Sequence, residues 1–155
     1  MLKGIDPLLT PELLLRLAEM GHGDLIVIAD ANFTGTSLAR QSAGANPVIH
    51  LPGASVEQAA RAVLSLLPLD ASVAQPVAFM QVSDTPPGTL SAQQRSVIAM
   101  IAGGGHARPD QCEAVERFAF YDRVRRAQVI VQTGERQPFG NFIFAKGVLG
   151  ESLVP

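Results

Sequence analysis

The run Leu25-Ile26-Val27-Ile28-Ala29 constrains this chain more than any other stretch. Five apolar residues in a row, three of them β-branched and none interrupted by a polar side chain, predict a strand buried on both faces. Such a strand belongs to a parallel or mixed sheet with helices packed on it. Before it, Gly21-His22-Gly23-Asp24 reads as a tight turn. After it, Asp30 to Thr36 is small and polar and reads as a loop. A carboxylate at the end of a buried strand is placed to face a crevice. An imidazole between two glycines leaves room for a ligand to approach. Both are groups that do proton work on small polar molecules.

The rest of the chain alternates in the same way. Thr10 caps a helix that begins with Pro11-Glu12, carries Leu13, Leu14, Leu17 and Met20 at helical spacing, and stops with Gly21 at C′. Val48 to Leu51 is a short strand ended by Pro52-Gly53. Ser55 and Gln58 form a capping box for a helix to about Leu67, and Pro68 stops it. Val77 to Val82 is a strand, and Pro86-Pro87-Gly88 marks a turn. Ser91 and Gln94 repeat the capping box for a helix through Ile101, which ends in the loop Gly103-Gly104-Gly105-His106. A helix from Phe118 to Arg126, a strand from Ala127 to Gln132, a turn at Thr133 to Arg136 and a last strand from Phe142 to Ala145 follow. The tail from Lys146 to Pro155 is expected to be peripheral. This alternation predicts the α/β class, with one domain over residues 1–155.

Composition narrows the function. A net charge of −2 offers no basic excess for nucleic acid. The one basic cluster, Arg123, Arg125 and Arg126, is offset by Glu113, Glu116 and Asp122. Only 17% of residues are charged, which fits either a surface covered by partner subunits or simply a large core. The single cysteine, Cys112, forms no intrachain disulfide, and no secretory signature is present, so a cytoplasmic location is expected. No apolar run approaches the roughly 20 residues of a membrane span. Three histidines and one cysteine, well separated, predict no metal site. Gly21-His22-Gly23 precedes its strand, the wrong order for a dinucleotide loop, and Gly103-Gly104-Gly105 lacks the Gly-Lys-Ser/Thr of a phosphate loop. No Gly-x-Ser-x-Gly elbow occurs.

The remaining candidates each carry a plainer alternative. His22 is either a proton-transfer group, with an ordinary imidazole pKa near ~6.5, or an exposed turn residue. Asp30 either holds a ligand hydroxyl and assists acid–base work, or caps a turn. Arg117 can fork to two hydroxyls, but on the residues alone an ion pair with Glu113 or Glu116 is the simpler reading. Tyr121, the sole tyrosine, suits sugar contact or packing equally. Asn141 offers a donor and an acceptor to a sugar hydroxyl, or is a turn residue. His50 and His106 read as loop residues.

Taken together, several blocks resemble the L-fucose mutarotase and D-ribose pyranase family. They are Met1-Leu2-Lys3, Pro11-Glu12-Leu13-Leu14, Leu17 through Asp24, Asp30-Ala31, Arg117-Phe118-Ala119-Phe120-Tyr121, Thr133-Gly134-Glu135-Arg136, Phe139-Gly140-Asn141 and Lys146-Gly147-Val148. The blocks ending at Asp24 and at Tyr121 lean to the fucose branch. The resemblance implies a three-layer α/β/α domain with a mixed, mostly parallel sheet. It also implies a cofactor-free isomerase that interconverts the α and β anomers of a monosaccharide, L-fucose-like by preference. By the same resemblance His22 is the proton donor. Asp30, Arg117, Tyr121 and the segment Phe139, Gly140 and Asn141 contact the sugar. Bacterial members resemble rings, often decamers, so a homo-oligomer is expected. Two departures bear on the sugar. Phe139 stands where the fucose branch commonly has a hydroxylated aromatic, and Asn32 and Thr34 stand where it often has histidine and proline. A D-ribose-type pyranase and a non-catalytic sugar-binding or sensor module are the competing expectations.

Geometry adds one constraint. Asp24 to Asp30 is six strand steps, roughly 20 Å at ~3.3 Å each, longer than a monosaccharide. Either the Gly21-His22-Gly23 turn folds back along the sheet, or the site joins neighbouring subunits. The second, or a mixture of both, is the expectation.

Overall fold

The computed structural model describes residues 2–42 and 46–150. Its strands are β1 (Leu25–Ala29), β2 (Val48–Leu51), β3 (Val77–Met80), β4 (Cys112–Val115), β5 (Val129–Thr133) and β6 (Phe142–Ala145). Its helices are α1 (Pro11–Glu19), α2 (Gly35–Gln41), α3 (Val56–Leu64), α4 (Ala92–Gly103) and α5 (Arg117–Val124), with a 3-10 turn at Pro109–Gln111. The strands form one sheet in the order β2-β5-β1-β6-β3-β4. β6 runs antiparallel to β1 and β3, and the other pairings are parallel.

The apolar run of β1 lies near the middle of this sheet, and Ile26, Val27, Ile28 and Ala29 are all fully buried. Side chains alternate across a strand. Ile26 and Ile28 therefore join Leu13, Val63 and Ile101 from α1, α3 and α4 on one face. Val27 and Ala29 join Leu38, Phe120 and Val124 from α2 and α5 on the other. The result is the three-layer α/β/α arrangement. Burying both faces of one sheet explains why so few strand residues are polar.

Local signals set most boundaries. Thr10 Oγ1 accepts from Leu13 N at 3.2 Å to start α1. Both capping boxes form, Ser55 with Gln58 and Ser91 with Gln94. α3 ends at Leu64, and the chain continues as a hydrogen-bonded turn to Leu67. β3 stops at Met80 and not Val82, because its pairing with β4 and β6 ends there. β5 starts at Val129, two residues later than Ala127. The left-handed residue of the turn after α1 is Gly23 (φ +82°), not Gly21.

Three expectations are corrected. α2 begins at Gly35, inside the polar segment read as loop to Thr36. β4 is a sheet-edge strand that the sequence reading did not anticipate. His50 belongs to strand β2, with its side chain exposed, and is not a loop residue.

Candidate active site

Five of the six strands point their C-terminal ends the same way, and β6 brings its N-terminal end to meet them. The expected sugar contacts Asp30, Arg117, Tyr121, Phe139, Gly140 and Asn141 all gather at this edge. Asp30 follows β1 directly and is 2% exposed. Its Oδ1 accepts from Asn32 N at 2.9 Å, and its Oδ2 accepts from Gly140 N at 3.2 Å. Its own amide donates to Asn141 Oδ1 at 3.0 Å. Burial pushes the Asp30 carboxyl above its ordinary range, and Glu135 adds repulsion; the hydrogen bonds from Asn32, Gly140 and Asn141 oppose the rise. Asn141 is thus buried as the partner of Asp30, not exposed in a turn.

Arg117 opens α5 and is exposed. The ion pair that residue reading alone favoured does not form. Glu113 takes both terminal nitrogens of Arg123, at 2.7 and 3.1 Å. Glu116 caps α5 by accepting from Phe118 N and Ala119 N. Arg117 instead donates from Nε to the Tyr121 hydroxyl at 2.8 Å, with its guanidinium carbon 5.5 Å from the Tyr121 ring centre. The pair is one helical turn apart, so α5 sets its geometry. Arg117 keeps its terminal N–H groups for a ligand, and the Tyr121 hydroxyl keeps its proton to donate.

These groups surround a pocket of about 130 Å³. Its lining is mixed, polar from Asp30, Asn32, Asn141 and Arg117 and apolar from Phe33, Met80, Phe139 and the Tyr121 ring. Phe139 has φ +65°, a left-handed conformation rarely adopted by a bulky residue. This strained residue forms part of the pocket lining.

His22 lies at the opposite end of β1. Gly23 N donates to Lys146 O at 2.8 Å and Lys146 N to Asp24 O at 2.9 Å, which pins the turn beside the end of β6. It does not fold back along the sheet. The first of the two geometric alternatives is thereby excluded within one chain. His22 Nε2 is 3.0 Å from Asp70 Oδ2, with the imidazole half exposed and the carboxylate buried. Asp70 arrives there because the segment after α3 lies on the end of β6. Asp70 N donates to Ala145 O, and Gly147 N to Pro68 O. A Cβ at Gly147 would come within 2.4 Å of Leu69 O, so only glycine permits this approach.

Hydrogen bonds hold the Asp70 carboxyl below its ordinary range, chiefly from the Ser72 hydroxyl, then from the Ser72 amide and His22, against the opposing effect of burial. An ionised carboxylate only accepts. His22 therefore donates from Nε2 to Asp70, which leaves Nδ1 outside this hydrogen bond. Asp70 escaped the sequence reading, because 48 residues separate it from its partner. The Asp70-x-Ser72 turn signal was present but names no partner.

Among the described residues no cluster of three or more His, Cys, Asp or Glu side chains is arranged to hold a metal. Nor is any helix long and apolar enough to cross a membrane.

With this geometry in view, the similarities to known proteins are specific. Residues 3–149 match the model of the RbsD / FucU transport protein family. The chain is 42% identical to the fucose mutarotase of Bos taurus, over 96% of this chain and 94% of that protein. It is 42% identical to the L-fucose mutarotase of Glaesserella parasuis, over 96% of each. Its fold matches the fucose mutarotase of Streptococcus pneumoniae, solved in complex with L-fucose, with a TM-score of 0.83 at 34% identity, over 96% of this chain and all of that one. Sequence and fold agree from end to end of the match: this chain belongs to the RbsD / FucU family.

Proposed function

We propose that this protein is a monosaccharide mutarotase acting on an L-fucose-like sugar, with His22 as proton donor and no cofactor. The observation that carries this reading is the cradle at the strand ends. A buried carboxyl of raised pKa, an arginine with free N–H groups and a buried asparagine line a small pocket together with apolar side chains. Hydroxyls suit the polar groups and a sugar methyl group suits the apolar ones. The full-length similarity to proteins named fucose mutarotase supports the same sugar class.

Mutarotation needs little more than proton transfer. The anomeric O–H loses its proton, the bond from the anomeric carbon to the ring oxygen breaks, and the ring oxygen gains a proton. The open aldehyde then rotates and closes on its other face. In this reading Asp30 takes the proton of the anomeric hydroxyl while His22, entering the step with a proton on each ring nitrogen, gives its Nδ1 proton to the ring oxygen, and both transfers reverse on closure. Arg117, Tyr121, Asn141 and the Phe139-Gly140 backbone hold the remaining hydroxyls. General acid–base help of this kind is worth ~10²–10⁴-fold.

Since His22 and Asp30 stand at opposite ends of β1, each site joins the Asp30 end of one chain to the His22 end of the next. A head-to-tail contact whose rotation closes forms a ring. The exposed apolar side chains at both ends support it. Leu66 and Val148 are exposed near the His22 end, and Phe118 is exposed beside Arg117. In the cytoplasm such a ring would meet free sugars directly.

Saturation-exchange NMR on free sugars is the test. Catalytic amounts of protein should accelerate L-fucose anomer exchange more than D-ribose exchange, and His22→Ala should remove the acceleration. Binding of L-fucose without faster exchange would instead favour a sugar-binding module, in which Phe139 marks lost chemistry. Preference for D-ribose would favour the pyranase reading.

A further inference from the structure

Among the described residues Gln94 is the most deeply buried polar side chain. Gln94 sits in the first turn of α4, is fully buried, and lies behind the pocket instead of lining it. Its Oε1 accepts from Ser91 N at 3.0 Å, completing the capping box. Its Nε2 donates to two carbonyls, Met80 O at 2.7 Å and Phe139 O at 2.9 Å. A capping box needs only an acceptor at this position, and glutamate serves equally well. The two donated hydrogen bonds are what demand an amide.

Those carbonyls belong to two of the residues that supply the apolar part of the pocket lining. Met80 ends β3, and Phe139 is the left-handed residue that leads into Gly140-Asn141. A bulky residue keeps φ near +65° only if its surroundings over-determine it. Here the Gly140 amide is fixed to Asp30 on one side of that peptide, and the Phe139 carbonyl is fixed to Gln94 on the other. Met80 N also donates to Asn141 O at 3.1 Å, so the same clamp spans β3 and the entry to β6.

We propose that Gln94 is a positioning residue for the sugar. By holding the Met80 and Phe139 carbonyls with its two amide hydrogens, it sets the spacing of the apolar lining and the aim of the Gly140-Asn141 cradle. This inference rests on the mutarotase reading above and extends it to a residue that never touches the ligand.

Gln94→Glu and Ser91→Ala separate the clamp from the cap. The first keeps the acceptor for Ser91 N and loses both donors when ionised. The second weakens the cap and keeps the clamp. At pH 8, Gln94→Glu should raise KM for L-fucose exchange about tenfold, the usual consequence of unpaired buried acceptors, with kcat within about twofold. As pH falls and the new carboxyl protonates, it regains one donor, and its KM should return toward the wild-type value at that pH. Ser91→Ala should lower Tm but keep a wild-type KM. Gln94→Met, uncharged and of similar length, carries the KM comparison if a buried carboxylate prevents folding. An equal KM in the wild type and both Gln94 variants, or an equal rise in Ser91→Ala, overturns the clamp alone. A wild-type protein without anomer exchange overturns the mutarotase reading and the clamp with it.

Discussion

The two ends of β1 handle a carboxylate in opposite ways. At the C-terminal end Asp30 is buried in a concave pocket, and burial lifts its carboxyl above the ordinary range. At the N-terminal end Asp70 is also buried, yet hydrogen bonds from Ser72 and His22 pull its carboxyl below that range. A raised carboxyl is suited to take and return a proton. A lowered one stays ionised and holds a partner in place. Environments that push two carboxyls apart assign them different work. In the proposed mechanism Asp30 is the exchanging group, and Asp70 is the group that orients the imidazole. On that reading each end carries half of an acid–base pair, and a complete site needs two chains.

The largest expected effect comes from removing the exchanging carboxylate. Asp30→Ala should reduce anomer exchange by about 10²–10⁴-fold, measured by NMR with L-fucose in excess. Its stability cost should depend on pH in a defined direction. A carboxyl whose folded pKa is raised stabilises fully below its unfolded pKa, and that contribution is lost as pH rises through the folded value. Asp30→Ala should therefore cost more stability at acid pH than at neutral pH. A smaller effect is expected at the other end. Asp70→Asn should slow exchange about tenfold by freeing the imidazole, without changing the sugar pocket. Here the sign reverses. A carboxyl of lowered pKa stabilises above its unfolded pKa, and that contribution is lost as pH falls through the folded value. Asp70→Asn should cost about 1–2 kcal/mol near neutrality and progressively less below the ordinary carboxylate range. Urea unfolding of both variants from pH 3 to 7 reads the two slopes, and slopes of the same sign would break the contrast. The smallest effect is expected for Phe139→Tyr. A restored hydroxyl should raise kcat/KM by a few-fold at most, the worth of one hydrogen bond. A Phe139→Tyr variant that alone shows any activity would move the protein to the binding-module reading.

The sequence reveals these two ends unequally. β1 and β6 were legible to the residue, because continuous apolar runs bounded by polar loops have no other stable use in an α/β sheet. Both capping boxes were equally plain, since their hydrogen bonds are local. α2 was hidden because it is short, begins with Gly35-Thr36-Ser37 and has no side-chain cap. β4 was hidden because Cys112-Glu113-Ala114-Val115 lies at the sheet edge, where only Val115 is fully buried and no apolar pattern is required. The Asp30 cradle emerged from the family blocks, although the residues of Arg117 taken alone pointed to an ion pair. Asp70 and Gln94 emerged from neither. Their roles come from contacts 48 and 45 residues away in the chain, which leave no periodic or local trace.

Mixed oligomers test the two-chain site most directly. His22→Ala and Asp30→Ala subunits, each inactive alone, are unfolded together, refolded at equal ratio and assayed for L-fucose anomer exchange. If each site takes Asp30 from one chain and His22 from its neighbour, random head-to-tail assembly leaves about a quarter of the sites intact, and about a quarter of wild-type activity should return. Mixed assemblies that form but stay inactive would contradict a site shared between chains.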